Sequence, residues 1–147
     1  MTPEQVNLVQ QSFAKVAPIS EQAAVLFYDR LFEVAPTVKA MFPADMTEQR
    51  KKLMGTLAVV VNGLSNLGSV LPAASALAKR HVGYGAKPEH YPVVGGALLW
   101  TLEKGLGEAW TSDVADAWTA AYGTLSGYMI AEAYGEAQAA SSTQAAE

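Results

Sequence analysis

Apolar residues recur along this chain at helical spacing, segment after segment, and a proline or a small polar residue with capping chemistry stands where each segment begins. No run alternates apolar and polar residues between hairpin-type turns, so strands have no signature and the fold class is all-α. No internal repeat is visible.

Thr2-Pro3-Glu4-Gln5 has the spacing of a capping box with proline in the first turn, which predicts a helix running to about Lys15. Pro18 is expected to break it, and Ser20 to cap a second helix whose apolar positions are Ala24, Leu26, Phe27, Leu31 and Phe32, as far as Ala35. Pro36 opens a short turn ending near Phe42. After a connector, Thr47 is expected to cap a helix with Leu53, Leu57, Val60, Val61 and Leu64 on one face, ending around Leu67-Gly68. Pro72 then opens a short helix through Leu77 and His81, closed by Gly83 and Gly85. Pro88 begins a helix with Tyr91, Val94, Leu98 and Leu102 inward, until Gly105 and Gly107. Thr111 or Ser112 caps a long last helix with an inward stripe of Val114, Trp118, Leu125 and Met129.

A chain of 147 residues is the size of one domain. The expected domain is residues 1–138, with 139–147 a small, polar, dispensable tail that frays. Half of the residues are apolar and 16% charged, which excludes a disordered protein and leaves room for an apolar cofactor cavity. The net charge is −4, and the basic residues gather only at Arg50-Lys51-Lys52 and Lys79-Arg80, so nucleic acid is not an expected partner. The most apolar run, Leu57 to Val61, is far shorter than a membrane span needs, and the N-terminus lacks the pattern of a secretory signal. A cytoplasmic protein is expected, in keeping with the absence of cysteine. That absence also excludes disulfides, thiolate metal sites, thioether attachment of a cofactor and a cysteine nucleophile.

Two histidines remain, His81 and His90. Their separation across glycines and a proline does not match a same-helix chelate, and Glu89 lies beside His90 rather than three residues before it, so zinc and di-iron sites are disfavoured. A haem needs as little as one axial imidazole, because the porphyrin supplies the other four nitrogens. His81 follows Leu77 by one turn on an apolar helix. Taken alone, it reads more readily as a histidine satisfied by a structural partner than as a ligand.

The run Leu26-Phe27-Tyr28-Asp29-Arg30-Leu31-Phe32, then Pro36-Thr37-Val38 and Phe42, resembles the globin part of flavohaemoglobins and single-domain bacterial haemoglobins, with neuroglobin more distant. The resemblance continues through Ala78-Lys79-Arg80-His81, Gly85, His90-Tyr91-Pro92-Val93-Val94-Gly95 and Ala117-Trp118-Thr119-Ala120-Ala121-Tyr122-Gly123, and covers nearly the whole chain. It implies the globin fold, a three-over-three helical sandwich with its fourth small helix short or missing, and one non-covalent haem b. His81 is then the proximal iron ligand, and Phe42 the phenylalanine stacked on the haem edge. Leu53, Leu77, Tyr91 and Val94 complete the expected haem contacts.

On the other haem face the resemblance maps Tyr28 to a distal tyrosine and Gln49 to a distal glutamine, whose O–H and N–H would stabilise a bound gas ligand. Their plain alternatives are a core tyrosine bonded to a carbonyl and a solvated glutamine; a shift in the preceding connector would put Glu48 or Arg50 at the distal position instead. Tyr91 matches a proximal tyrosine. Glu132 falls one residue short of the glutamate that would join it and His81, and reads equally as a solvated carboxylate. His90 reads as a partly exposed turn residue.

The implied function is reversible binding of O2, NO and CO, with nitric oxide dioxygenation as the associated chemistry and Tyr28 and Gln49 as its catalytic pair. Turnover needs an electron, and no flavin or nicotinamide module is evident, so a separate reductase is expected. The alternative is oxygen storage, delivery or sensing without turnover. A haem-free or bilin-carrying relative is argued against by His81 with Phe42 and by the lack of cysteine. A monomer or weak homodimer is expected.

Overall fold

The computed structural model describes the backbone of residues 2–83 and 90–145, and their side chains except at Leu67, Val82, Gly83 and 132–145. Among the described residues there are six α-helices and no strand: α1 (Pro3–Val16), α2 (Ser20–Val34), α3 (Thr47–Asn62), α4 (Leu67–Gly83), α5 (His90–Leu106) and α6 (Ser112–Ala145). Short 3₁₀ turns link them at Ala17–Ile19, Pro36–Met41, Leu64–Asn66 and Gly107–Ala109. The architecture is the three-over-three sandwich, and no helix stands between Met41 and Thr47, where the fourth small helix would be.

The capping box of α1 forms as read: Thr2 Oγ1 accepts from the Gln5 amide at 3.1 Å, and Gln5 Oε1 accepts from the Thr2 amide at 3.0 Å. Other boundaries differ from expectation. Ser20 does not cap α2; it is its first residue, with Ile19 in the capping position and no side-chain bond. α1 does end before Pro18, at Val16, but the break is short: Pro18 sits at the start of a 3₁₀ turn, where its missing N–H costs no bond, and the turn leads directly into α2. Thr47 likewise begins α3 rather than capping it. The Asp45 carboxylate takes that role, accepting from the Thr47 amide at 3.0 Å and its hydroxyl at 2.7 Å, and these bonds hold its carboxyl below the usual range.

Pro72 does not open α4. The helix starts five residues earlier, and because only its first turn precedes Pro72, the proline forfeits a single hydrogen bond, the one to the Gly68 carbonyl. The preceding helix ends at Asn62 instead of running to Leu67-Gly68 because Gly63 makes a tight corner. A Cβ there would lie 2.1 Å from Val70 Cγ2, so the chain turns where only glycine fits. α4 is described as far as Gly83, and the expected closure at Gly83 and Gly85 and the helix start at Pro88 fall where the described residues stop. At the other end of α5, Gly107 adopts a φ of +55° that turns the chain toward α6, and Thr111 resolves the capping choice there by accepting from the Val114 amide at 3.2 Å.

Inside, α1 and α4 pack on α6, α2 packs on α5, and α3 lies against α2 and α1. The inward face of α2 is Ala23, Ala24, Phe27, Tyr28 and Leu31; Leu26, expected inward, is 37% exposed because it falls off that stripe. Val114, Trp118 and Met129 of α6 are buried as expected, with Leu125 partly so. One buried polar link ties α1 to α6: Trp118 Nε1 donates to Ser12 Oγ at 2.8 Å, and that hydroxyl in turn lies 2.7 Å from the Leu8 carbonyl. Among the described residues no helix is long and apolar enough to cross a membrane.

Candidate functional site

Tyr28 stands in the middle of α2 with 5% of its surface exposed, walled by aromatic rings. Its ring centroid is 4.9 Å from that of Phe27, 5.9 Å from Phe32 and 5.5 Å from Phe42, which the 3₁₀ turn and connector bring back over α2. Gln49 reaches the same point from the first turn of α3 and donates Nε2–H to the Tyr28 hydroxyl across 3.2 Å. Asp45 sets this meeting by fixing where α3 begins. The neighbour of Gln49, Glu48, is exposed and lies 4.0 Å from Lys51. Because the hydroxyl oxygen accepts from Gln49, its own hydrogen points elsewhere. Burial raises the Tyr28 phenol above its ordinary value, partly offset by the Gln49 bond, so it stays protonated as a donor. Leu53, one turn along α3, is half-buried against the same apolar cluster, as is Val94 of α5.

The second group of residues gathers around the end of α4. His81, in its last turn, has Nδ1 2.8 Å from the Leu77 carbonyl oxygen. A carbonyl only accepts, so in the neutral ring Nδ1 carries the proton and Nε2 the lone pair, the tautomer a metal-ligating imidazole requires. The Tyr91 ring lies 6.3 Å from the imidazole at a tilt of 32°. Tyr91 is buried with Ala74, Ala78 and Met129, and Leu77 packs on that cluster from α4. The Glu132 side chain lies outside the described ones. His90, half-buried, is the first residue of α5.

These two groups belong to separate apolar clusters, joined by the first turns of α5, which send Tyr91 into one and Val94 into the other. Between α3 and α4 a cleft of about 200 Å³ is lined by Gly55, Thr56, Val59 and Val60 on one side and Ala73, Ala74, Leu77 and Arg80 on the other. It is largely apolar, and on α4 it reaches the residue next to His81. Among the described residues no three His, Cys, Asp or Glu side chains group to hold a bare metal ion. The donor set therefore fits a flat apolar prosthetic group that brings most of its own metal ligands and takes one imidazole from the protein.

A sequence profile of the family described as Globin matches residues 25–129. This chain belongs to the globin family. The globin is 33% identical over 133 residues to a flavohemoprotein of Rhodopirellula baltica and 36% identical over 131 residues to a flavohemoprotein of Bacillus subtilis. These alignments cover 88% and 85% of the globin but only 33% and 32% of those relatives, so it spans about a third of their length. Its fold superposes on a bacterial globin from Campylobacter jejuni with a TM-score of 0.80 at 27% identity, covering 90% of this chain and 96% of that one. Membership implies a haem cofactor and a diatomic gas ligand such as O2.

Two residues at this site went unassigned in the sequence. Arg80 lines the cleft, and its signal was its place in Lys79-Arg80-His81. Tyr122 of α6 donates its hydroxyl to the Tyr91 backbone carbonyl. Burial, with the neighbouring Tyr91 adding to it, pushes the Tyr122 phenol far above its usual range. It stands in the run that carried the family resemblance, but a backbone acceptor leaves no mark in a sequence.

Proposed function

We propose that this globin holds one haem b non-covalently through His81 Nε2, binds O2, NO and CO reversibly, and, given electrons from a separate reductase, converts nitric oxide and O2 to nitrate. The observation that carries the reading is the 2.8 Å contact between His81 Nδ1 and the Leu77 carbonyl, which fixes both the tautomer and the ring's orientation. When bound, the haem supplies the iron that takes the gas ligand and changes oxidation state.

The remaining work falls to side chains. Phe42, Leu53, Leu77, Tyr91 and Val94 form apolar walls that exclude water from the prosthetic group. Arg80 offers a planar guanidinium to its acidic substituents. Tyr28 turns its O–H toward the ligand, and Gln49, by donating to the phenol oxygen, orients that O–H and makes it a stronger donor. The Tyr28 bond is then strongest where negative charge builds on the ligand, which is what both slow oxygen release and dioxygenation require. The rest of the proposal is a cytoplasmic monomer or weak homodimer whose residues 139–147 are dispensable for haem binding.

The test is the visible spectrum of the haem-reconstituted chain and of His81→Ala in ferric, ferrous and oxygenated forms. Stoichiometric uptake with histidine-ligated spectra that the variant loses supports the reading; wild-type spectra in the variant sink it. Nitric oxide consumption by the oxygenated protein with a supplied reductant then decides between turnover and simple oxygen storage.

A further inference from the structure

Gln49 stands in the first turn of α3, and a single exposed carboxylate holds that turn. The leading amides of a helix have no partner within it and depend on a cap. In α3 the capping position falls to Met46, whose side chain makes no cap bond. The cap comes from one residue earlier: Oδ1 of Asp45 accepts from the Thr47 amide at 3.0 Å and from the Thr47 hydroxyl at 2.7 Å. Because both bonds end on one oxygen, they fix the direction in which α3 leaves the connector as well as the place where it starts. The Arg50 guanidinium attracts the same carboxylate from within that turn. The first helical bond, from the Arg50 amide to the Met46 carbonyl at 2.8 Å, closes directly after it.

What this hold controls is the meeting with Tyr28. Phe42 before the connector and Gln49 after it both reach that residue: the Phe42 ring lies 5.5 Å from the phenol ring, and the Gln49 amide 3.2 Å from its hydroxyl. Between them, in residues 43–46, Asp45 is the one polar side chain. A first turn without a cap frays, and with it the Gln49 amide would spend part of its time away from the phenol. We infer that Asp45 is a positioning residue of the gas-ligand side of the site: through the Thr47 amide and hydroxyl it holds the first turn of α3, and so the Gln49 amide, against Tyr28, and a carboxylate in solvent thereby governs how firmly the ligand is retained. The inference rests on the Tyr28–Gln49 pair facing the ligand. Asp45 acts only through Gln49, so the effect of losing it is bounded by the effect of losing Gln49 itself.

The test uses the haem-loaded ferrous protein with carbon monoxide added, whose C–O stretching frequency reports the polarity beside the ligand. Asp45→Ala is expected to move the band toward the position that Gln49→Leu gives, and to speed oxygen dissociation by about 2- to 5-fold, less than Gln49→Leu does. Added to Gln49→Leu, it should change neither reading further. Asp45→Asn, which keeps an oxygen acceptor in the same place, should restore the wild-type band. Thr2→Ala removes the cap of α1 and should leave the band where it is, even where it lowers the thermal midpoint as much. A band that Gln49→Leu moves and Asp45→Ala does not overturns the proposal, whatever happens to stability. If neither Tyr28→Phe nor Gln49→Leu moves the band, the ligand does not meet the pair and that reading has failed instead. Hydrogen exchange at the Gln49 side-chain amide then decides the hold on α3 separately: protection lost in Asp45→Ala supports it, and unchanged protection overturns it.

Discussion

Gln49 donates its side-chain amide to the Tyr28 hydroxyl across 3.2 Å, so under the proposed function the glutamine acts on a ligand through the tyrosine. Tyr28→Phe removes the hydroxyl that accepts from Gln49 and whose own hydrogen points away from it. Haem uptake should persist, and oxygen dissociation should accelerate roughly 10- to 100-fold, the equivalent of about 1.4–2.8 kcal/mol for a bond to a partly charged acceptor. Gln49→Leu should give a smaller acceleration, because the phenol remains and loses only its orientation. Stopped-flow dissociation rates check the order; an effect of Gln49→Leu larger than that of Tyr28→Phe would mean that the amide meets the ligand directly.

The pKa values of Tyr28 and Tyr122 are shifted upward by burial. The fold therefore favours their neutral form. Their contribution is fully present below the unfolded value of about 10 and is lost as pH rises through the higher folded values. Ultraviolet titration of the wild type against Tyr28→Phe and against Tyr122→Phe should show that each variant lacks a phenol that ionises late, in step with alkaline unfolding followed by circular dichroism. Ionisation of all six tyrosines before any loss of helix would contradict this.

Much of this arrangement was legible where local chemistry decides it. The Thr2 capping box, the stripe of Val114, Trp118 and Met129, and the all-α class follow from spacing that each helix satisfies by itself. The misread boundaries depend on what neighbouring segments do. Ser20 and Thr47 look like caps until a 3₁₀ turn before one and Asp45 before the other take over the task. Pro72 looks like a helix start because a sequence does not reveal that Val70, just before it, is pinned against Gly63. At the site, Tyr28, Gln49, His81 and Tyr91 were all singled out, whereas Tyr122, whose partner is a backbone carbonyl, was not.

Ser12 and Trp118 form a buried polar pair between α1 and α6. Ser12→Ala leaves the indole N–H without its acceptor and should cost about 1–3 kcal/mol. Adding Trp118→Phe removes the stranded donor, so the double variant should lose less than the sum of the two single changes. Denaturant unfolding of all four proteins closes the cycle, and strict additivity would show that the bond contributes nothing.

Two glycines of the α3 region make opposite predictions in the haem-free chain. Gly63 ends the helix at a point where an added methyl meets Val70 Cγ2 at 2.1 Å, and the obstructing group belongs to a buried, β-branched side chain with little freedom to move aside. Gly63→Ala should destabilise by about 1–3 kcal/mol, the usual cost of overpacking. Gly55, in the interior of α3, has nothing within 4 Å of the same added atom. There alanine only restricts the unfolded chain and favours the helix, so Gly55→Ala should stabilise by about 0.5–1 kcal/mol. Thermal unfolding of the two variants distinguishes a corner that requires glycine from a helix that merely contains one; equal shifts of the same sign would show that the approach of Val70 does not set the end of α3.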